Sequence, residues 1–223
     1  MNAREPRRGV LLAGGTGLIG RELIELLLAQ KPPPAVHALV RRRPETATAR
    51  VRWLQVDFRQ LPALPAAGEA YCCLGTTLKQ AGSQAAFRAV DFDAVLAFAQ
   101  AARAAGVMRF GVVSALGASP RSATFYNRVK GEMEAAVGAL GFASLFFARP
   151  SLLAGDRAAL GQPLRTGEQL ALWLTGPIAG LIPKGMRPIN ARTVARGMMV
   201  ALRQGQTGVR IVESGELQEL GAE

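Results

Sequence analysis

Apolar residues along this chain come in short, nearly unbroken runs, separated by longer stretches with helical spacing. The first run, Gly9-Val10-Leu11-Leu12-Ala13, has no polar interruption, as a strand covered on both faces requires. From Leu18 to Gln30, Ile19, Leu23, Ile24, Leu27 and Leu28 fall on one helical face, and Pro32-Pro33-Pro34 ends the helix. Ala35–Val40 predicts a second strand, Val51–Val56 a third and Ala70–Leu74 a fourth. A long helix follows, carrying Phe87, Val90, Val95, Phe98 and Ala102 at helical spacing, with Gly106 as its stop. Arg109–Ser114 and Ala143–Ala148 predict strands five and six, with a helix over 124–140 between them. This alternation predicts an α/β domain built on a doubly wound parallel sheet with helices on both faces. Ligands of such sheets bind beyond the carboxyl ends of the strands, where the strand order reverses.

After Arg149-Pro150 the pattern loosens. Gln169–Ile182 is apolar but interrupted by Gly176-Pro177, 191–203 predicts a further helix, and 209–212 a short late strand. The last ~70 residues are too few for a usual independent domain. The expectation is a single domain over 1–223, with 151–223 contributing a small substrate-side C-terminal cap. Trp173, Leu174 and Ile178 form an apolar patch suited to core or interface, with a pocket wall and a membrane contact as alternatives.

Composition narrows the function classes. The 223 residues are 49% hydrophobic and carry a formal charge of +11. That charge invites a polyanion partner, yet only Arg41-Arg42-Arg43 forms a basic block, and no zinc spacing or aromatic-interleaved basic strand accompanies it. No specific nucleic acid is expected. The adjacent Cys72 and Cys73 would point to opposite faces of a strand and carry no metal spacing. The single histidine, His37, sits between apolar strand neighbours and is read as packed, which leaves no zinc site or histidine triad. No metal is expected. The N-terminal residues do not read as a secretory signal, and no run approaches the ~18 apolar residues of a spanning helix. The expected location is cytoplasmic.

The first strand empties into Gly14-Gly15-Thr16-Gly17-Leu18-Ile19-Gly20 and then a helix. Glycines at G-x-x-G-x-x-G spacing permit a tight turn at Gly14, close approach to a pyrophosphate at Gly17, and close helix packing at Gly20. The amides of the first helical turn, at Leu18 and Ile19, then face phosphates. Strand, glycine turn and helix together predict a dinucleotide-binding domain of Rossmann type.

A second constellation lies later. Tyr126 and Lys130 stand one turn apart on the helix after strand five, one step beside the apolar row Phe125, Val129, Met133 and Val137 and so at the edge of the core, and Ser114 ends that strand. A phenol with pKa near ~10 needs a neighbouring ammonium to serve as a base at neutral pH. A serine hydroxyl holds a substrate oxygen as charge develops, while tyrosine exchanges its proton and nicotinamide moves a hydride. The alternative is that these residues only grip the cofactor, without turnover.

Together GGTGLIG (14–20), VDF (56–58), YCCLGTT (71–77), VVSALGAS (112–119), YNRVKGEMEA (126–135) and ARPSLLAGDR (148–157) resemble a short-chain dehydrogenase/reductase of the extended or atypical branch. Within it, the sequence is similar to the small Tat-interacting oxidoreductase-like group. The resemblance implies that Asp57 contacts adenine with Phe58 beside it, and that Leu74, Gly75 and Thr76 line the cofactor. It implies that Arg149, Pro150 and Ser151 lead from strand six toward nicotinamide and substrate. Read alone, Asp57 is also a turn-forming carboxylate and Arg149-Pro150 a strand terminator. Ala13 departs from the threonine of many relatives. The group also includes proteins valued for regulation or assembly, which leaves open a non-catalytic NADP(H)-binding sensor with a protein partner.

Strand two runs into Arg41-Arg42-Arg43, where an NAD site usually offers a carboxylate to the ribose 2′-OH. Guanidinium groups suit a 2′-phosphate, so NADP(H) is expected over NAD(H), with a solvated basic loop as the alternative. The expectation is an NADP(H)-dependent oxidoreductase acting on a carbonyl/alcohol pair of an unknown small molecule, as a monomer or homodimer. Ser114 orients, Tyr126 is the acid/base, and Lys130 tunes it and holds the ribose.

Overall fold

The structure, a computed structural model, describes residues 9–45, 47–154 and 184–222. Seven strands form the main sheet: β1 (Gly9–Ala13), β2 (Ala35–Val40), β3 (Val51–Gln55), β4 (Glu69–Cys72), β5 (Arg109–Val113), β6 (Ser144–Arg149) and β9 (Gly208–Glu213). Every pairing is parallel, in the order β3-β2-β1-β4-β5-β6-β9. The order reverses between β1 and β4, so the crevice predicted from the strand alternation opens where those two strands end. Two short strands, β7 (Leu153–Ala154) and β8 (Ile189–Asn190), pair separately.

Period-two geometry explains why the strands read as continuous apolar runs. Val10 and Leu12 face one core with α1 (Leu18–Leu28), while Leu11 and Ala13 face the other with α4 (Val95–Ala104) and α5 (Phe125–Gly138). With both faces covered, each large buried side chain such as Leu11, Leu12 or Leu23 contributes about 1.5–3 kcal/mol.

The long helix expected around Phe87–Ala102 is not uniform. It comprises α3 (Gln84–Arg88), a π-helical stretch over Ala89–Ala94, and α4. The C-terminal third also divides. Helix α6 (Ala191–Gln204) packs on α1, and β9 extends the main sheet beside β6, so these residues belong to the central body rather than to a cap. They do so because Val194, Met198 and Leu202 complete the α1 core, and Val212 faces it from β9. Helix α7 (Ser214–Leu220) then packs on α6. The apolar stretch 169–182, with Trp173, Leu174 and Ile178, lies outside the described residues.

Candidate functional site

The carboxyl ends of β1, β4, β5 and β6 open onto a cleft with two continuous halves. The wider, about 1010 Å³, runs over the glycine turn toward Arg41, Arg42, Asp57 and Phe58. The narrower, about 380 Å³, holds Ser114, Tyr126, Lys130 and Pro150. Gly17, Leu74, Gly75 and Thr76 line both. Gly14 and Thr16 face the wide half, Leu18 and Ile19 the narrow one. Gly15 lines neither; a Cβ there would press on Ile24 Cδ1 at 3.1 Å, so it serves helix packing.

The turn after β1 is shaped for an anion. Gly14 has φ +84, and a Cβ there would fall 2.4 Å from the Cys73 carbonyl, so only glycine fits between β1 and β4. The Gly17 amide donates to the Gly14 carbonyl at 3.0 Å, closing the turn. Helix α1 starts at Gly17 with no side-chain cap and no acidic residue in its first turn. Its leading amides and positive dipole end are therefore offered to a ligand. This uncapped terminus fits the pyrophosphate of a nicotinamide dinucleotide.

Helix α5 carries two rows. Val129, Met133 and Val137 are buried, as the apolar spacing requires. Tyr126, Lys130 and Glu134 form a second row at i, i+4, i+8. Lys130 is not at the core's edge but is 2% exposed, and Glu134 is also buried. Each buried charge has a partner. Lys130 Nζ lies 2.8 Å from Asp91 Oδ1. Burial works to lower the Lys130 pKa, but the Asp91 carboxylate and then Tyr126 outweigh it, so the pKa stands above the usual lysine value. Asp91 Oδ2 accepts the Thr76 amide at 2.9 Å, tying the loop after β4 to α5. Tyr126 rests against Phe87, ring centroids 5.4 Å apart.

Ser114 follows β5, its amide bonded to the Ala148 carbonyl at 2.7 Å. Its hydroxyl is buried in the lining of the narrow half and has no hydrogen-bond partner among the described residues. An orphaned buried hydroxyl costs free energy unless a ligand satisfies it. The structure thus brings Ser114, Tyr126 and Lys130 to one cavity beside the glycine turn.

Arg149 is placed differently from the expectation. Its Nε and Nη2 donate to Glu134 at 2.9 and 2.6 Å, and its Nη1 to Glu213 at 3.2 Å. The side chain locks α5 to β6 and β9 and does not line the cleft, whereas the following Pro150 and Ser151 line its narrow half. Asp57 lines the wide half, exposed, with Arg59 hydrogen-bonded to it and holding its carboxyl below the usual range. Arg41 and Arg42 are exposed there, with no ion pair or side-chain hydrogen bond among the described residues. His37 is buried on β2, its pKa lowered by burial and by Arg52. Both cysteines are free thiols, Cys72 pushed up to about 12 by burial.

Two residues escaped the sequence reading. Asp91 is fully buried because the π-helical stretch turns it inward, and such bulges concentrate at functional sites. A carboxylate one turn after Phe87 on an apolar helical face was the available signal. The other is Gly131. A Cβ there would sit 2.1 Å from the Ser119 carbonyl carbon, so α5 lies directly on the loop after β5.

Residues 14–140 match the NAD(P)H-binding family. Protein HTATIP2 of Rattus norvegicus is 34% identical over 222 residues, covering 96% of this chain and 89% of that protein. Protein FMP52, mitochondrial, of Eremothecium gossypii is 30% identical over 220 residues, covering 94% of this chain and 96% of that protein. MoeE5 in complex with UDP-glucose and NAD superposes with TM-score 0.69 at 18% identity, over 96% of this chain and 81% of that one, a likeness of fold. The expected cytoplasmic location is corrected by these relatives. FMP52 proteins from several fungi are mitochondrial by name, and a short charged N-terminus carries no weight against that. No helix among the described residues is long and apolar enough to cross a membrane. The glycine turn, the uncapped helix α1 and the matched relatives agree: the chain belongs to the NAD(P)H-binding family, on a Rossmann-type fold, as a homologue of HTATIP2.

Proposed function

We propose that this protein is an oxidoreductase that uses NADP(H) to interconvert a carbonyl and an alcohol on a small molecule. The observation that carries the reading is the unpartnered, buried Ser114 hydroxyl in the cavity that also holds Tyr126 and Lys130. When bound, the cofactor supplies the hydride. Ser114 donates a hydrogen bond to the substrate oxygen and holds it as negative charge grows. Tyr126 passes its proton to that oxygen in reduction and removes it in oxidation. Lys130 keeps its charge beside the phenol and reaches the ribose, while Asp91 fixes its height in the cleft. The leading amides of α1 hold the pyrophosphate, and Asp57 and Phe58 stand at the adenine end.

Arg41 and Arg42 support the phosphorylated nucleotide, since two exposed cations lie at the end of β2 where a 2′-phosphate would arrive. Oxidation of NADPH across an aldehyde and ketone panel tests the reading. Wild type is expected to turn over at least one carbonyl, and Tyr126→Phe to lose ~100-fold or more in kcat while binding NADPH unchanged. Full activity in Tyr126→Phe would overturn the mechanism. Absence of turnover in both, with tight nucleotide binding, would favour a non-catalytic sensor.

A further inference from the structure

Resting on that reading, we infer that the reacting end of the cleft takes an uncharged carbonyl compound with an apolar body, a fatty or aryl aldehyde or ketone. One wall of the narrow half is built from Ala115 and Leu116 after β5 and from Pro150, Leu152 and Leu153 after β6. These two segments form one surface. The Leu116 amide bonds to the Pro150 carbonyl at 3.3 Å, and the Ile189 amide to the Leu152 carbonyl at 3.0 Å. Leu153 is held in register against Ile189 by the β7–β8 pair. Between Pro150 and Leu152, Ser151 also lines this half and is held in place: its hydroxyl donates to the Arg187 carbonyl, and Ser214 donates to it at 3.0 Å. The wall is therefore set before any ligand arrives.

Charge points the same way. Among the described residues, Lys130 and Asp91 are the charged side chains lining this half, and they neutralise each other at 2.8 Å. A carboxylate or phosphate on the substrate would lose its water there and gain no cation. A neutral carbonyl loses little, because the orphaned Ser114 hydroxyl awaits its oxygen. Leu116, 39% exposed, leaves apolar surface at the mouth that an alkyl or aryl group would cover. In the reductive direction the C=O π bond opens as the carbon takes a hydride from NADPH, which leaves as NADP+. The oxygen takes the Tyr126 proton, which solvent replaces, and an alcohol results.

Matched pairs test this: octanal against its omega-carboxylate analogue, and phenylacetone against phenylpyruvate, each with saturating NADPH. The neutral member is expected to show kcat/KM ~10-fold or more above its charged partner. Leu116→Lys should shrink or reverse that ratio while leaving NADPH affinity unchanged. Equal or better use of the charged members by wild type would overturn the inference. If no compound is reduced, the oxidoreductase reading fails, and calorimetry on the NADP+-bound protein with octanol and its omega-carboxylate decides the pocket separately. Tighter binding of octanol, lost in Leu116→Lys, upholds it; no binding, or preference for the carboxylate, overturns it.

Discussion

Lys130 Nζ lies 2.8 Å from Asp91 Oδ1, with both side chains shut off from water. A buried pair of this kind adds little net stability over an apolar pair, but breaking it strands a charge at a cost of about 3–5 kcal/mol. Asp91→Ala should therefore lower the melting temperature by roughly 6–20 °C in a chain of this size. A change within ~2 °C would show that the lysine finds another partner.

The pH dependence follows from the same pair. Lys130 has a folded pKa above its unfolded value, so its stabilising contribution is complete below ~10.4 and declines only as pH climbs through the folded pKa. In Asp91→Asn, burial, the largest single influence, loses its main opponent and is expected to depress that pKa. The folded state then resists protonation, so the penalty is largest at neutral pH and fades as pH approaches ~10. Cys72, pushed up to about 12, stays neutral over this window. Urea unfolding of both proteins at neutral and alkaline pH measures the gap, and a gap that widens with pH contradicts the account.

Two glycines of α5 predict opposite outcomes. Gly131→Ala drives a Cβ to 2.1 and 2.3 Å from backbone atoms of Ser119 and Pro120, so the helix must move and carry Tyr126 and Lys130 with it. A loss of ~1–3 kcal/mol in stability and a fall in turnover are expected. Gly138→Ala meets nothing within 4 Å and should stabilise by about 0.4–1 kcal/mol. Thermal melts of the two variants, side by side, check both signs.

Arg41→Ala/Arg42→Ala should weaken NADPH ~10–100-fold and NADH only slightly, as expected when charge-assisted bonds to a 2′-phosphate are removed. Fluorescence titration with each nucleotide measures the ratio. An unchanged NADPH affinity would assign these arginines to the solvated loop instead.

Arg149→Ala separates structure from binding. It leaves Glu134 buried without its bidentate partner, so stability should drop by about 3–5 kcal/mol. Where the variant remains folded, its NADPH affinity should match wild type, because the side chain does not line the cleft. A large selective loss of nucleotide binding would restore the role first expected of it.

Much of the frame was legible because parallel strands buried on both faces cannot avoid looking apolar. The predicted second strand, 35–40, coincides with β2, and the strand expected over 143–148 with β6 to within one residue. The glycine spacing was legible for the same reason: sterics at Gly14 admit no other residue. What stayed hidden depends on partners distant in sequence. Helical spacing placed Lys130 at the edge of the core, since nothing in α5 itself announces Asp91. The π-helical stretch that aims this carboxylate breaks the period from which faces are read. Arg149 next to a proline looked like a strand end pointing at ligand, and only the fold shows Glu134 waiting across the sheet.

The bond from the Thr76 amide to Asp91 has a mechanical consequence. One carboxylate grips both the loop after β4 and the Lys130 ammonium on α5. Under the proposed mechanism, the segment that borders the nucleotide and the lysine beside Tyr126 therefore share a single strut. Nucleotide binding and the placement of Lys130 are then expected to be coupled.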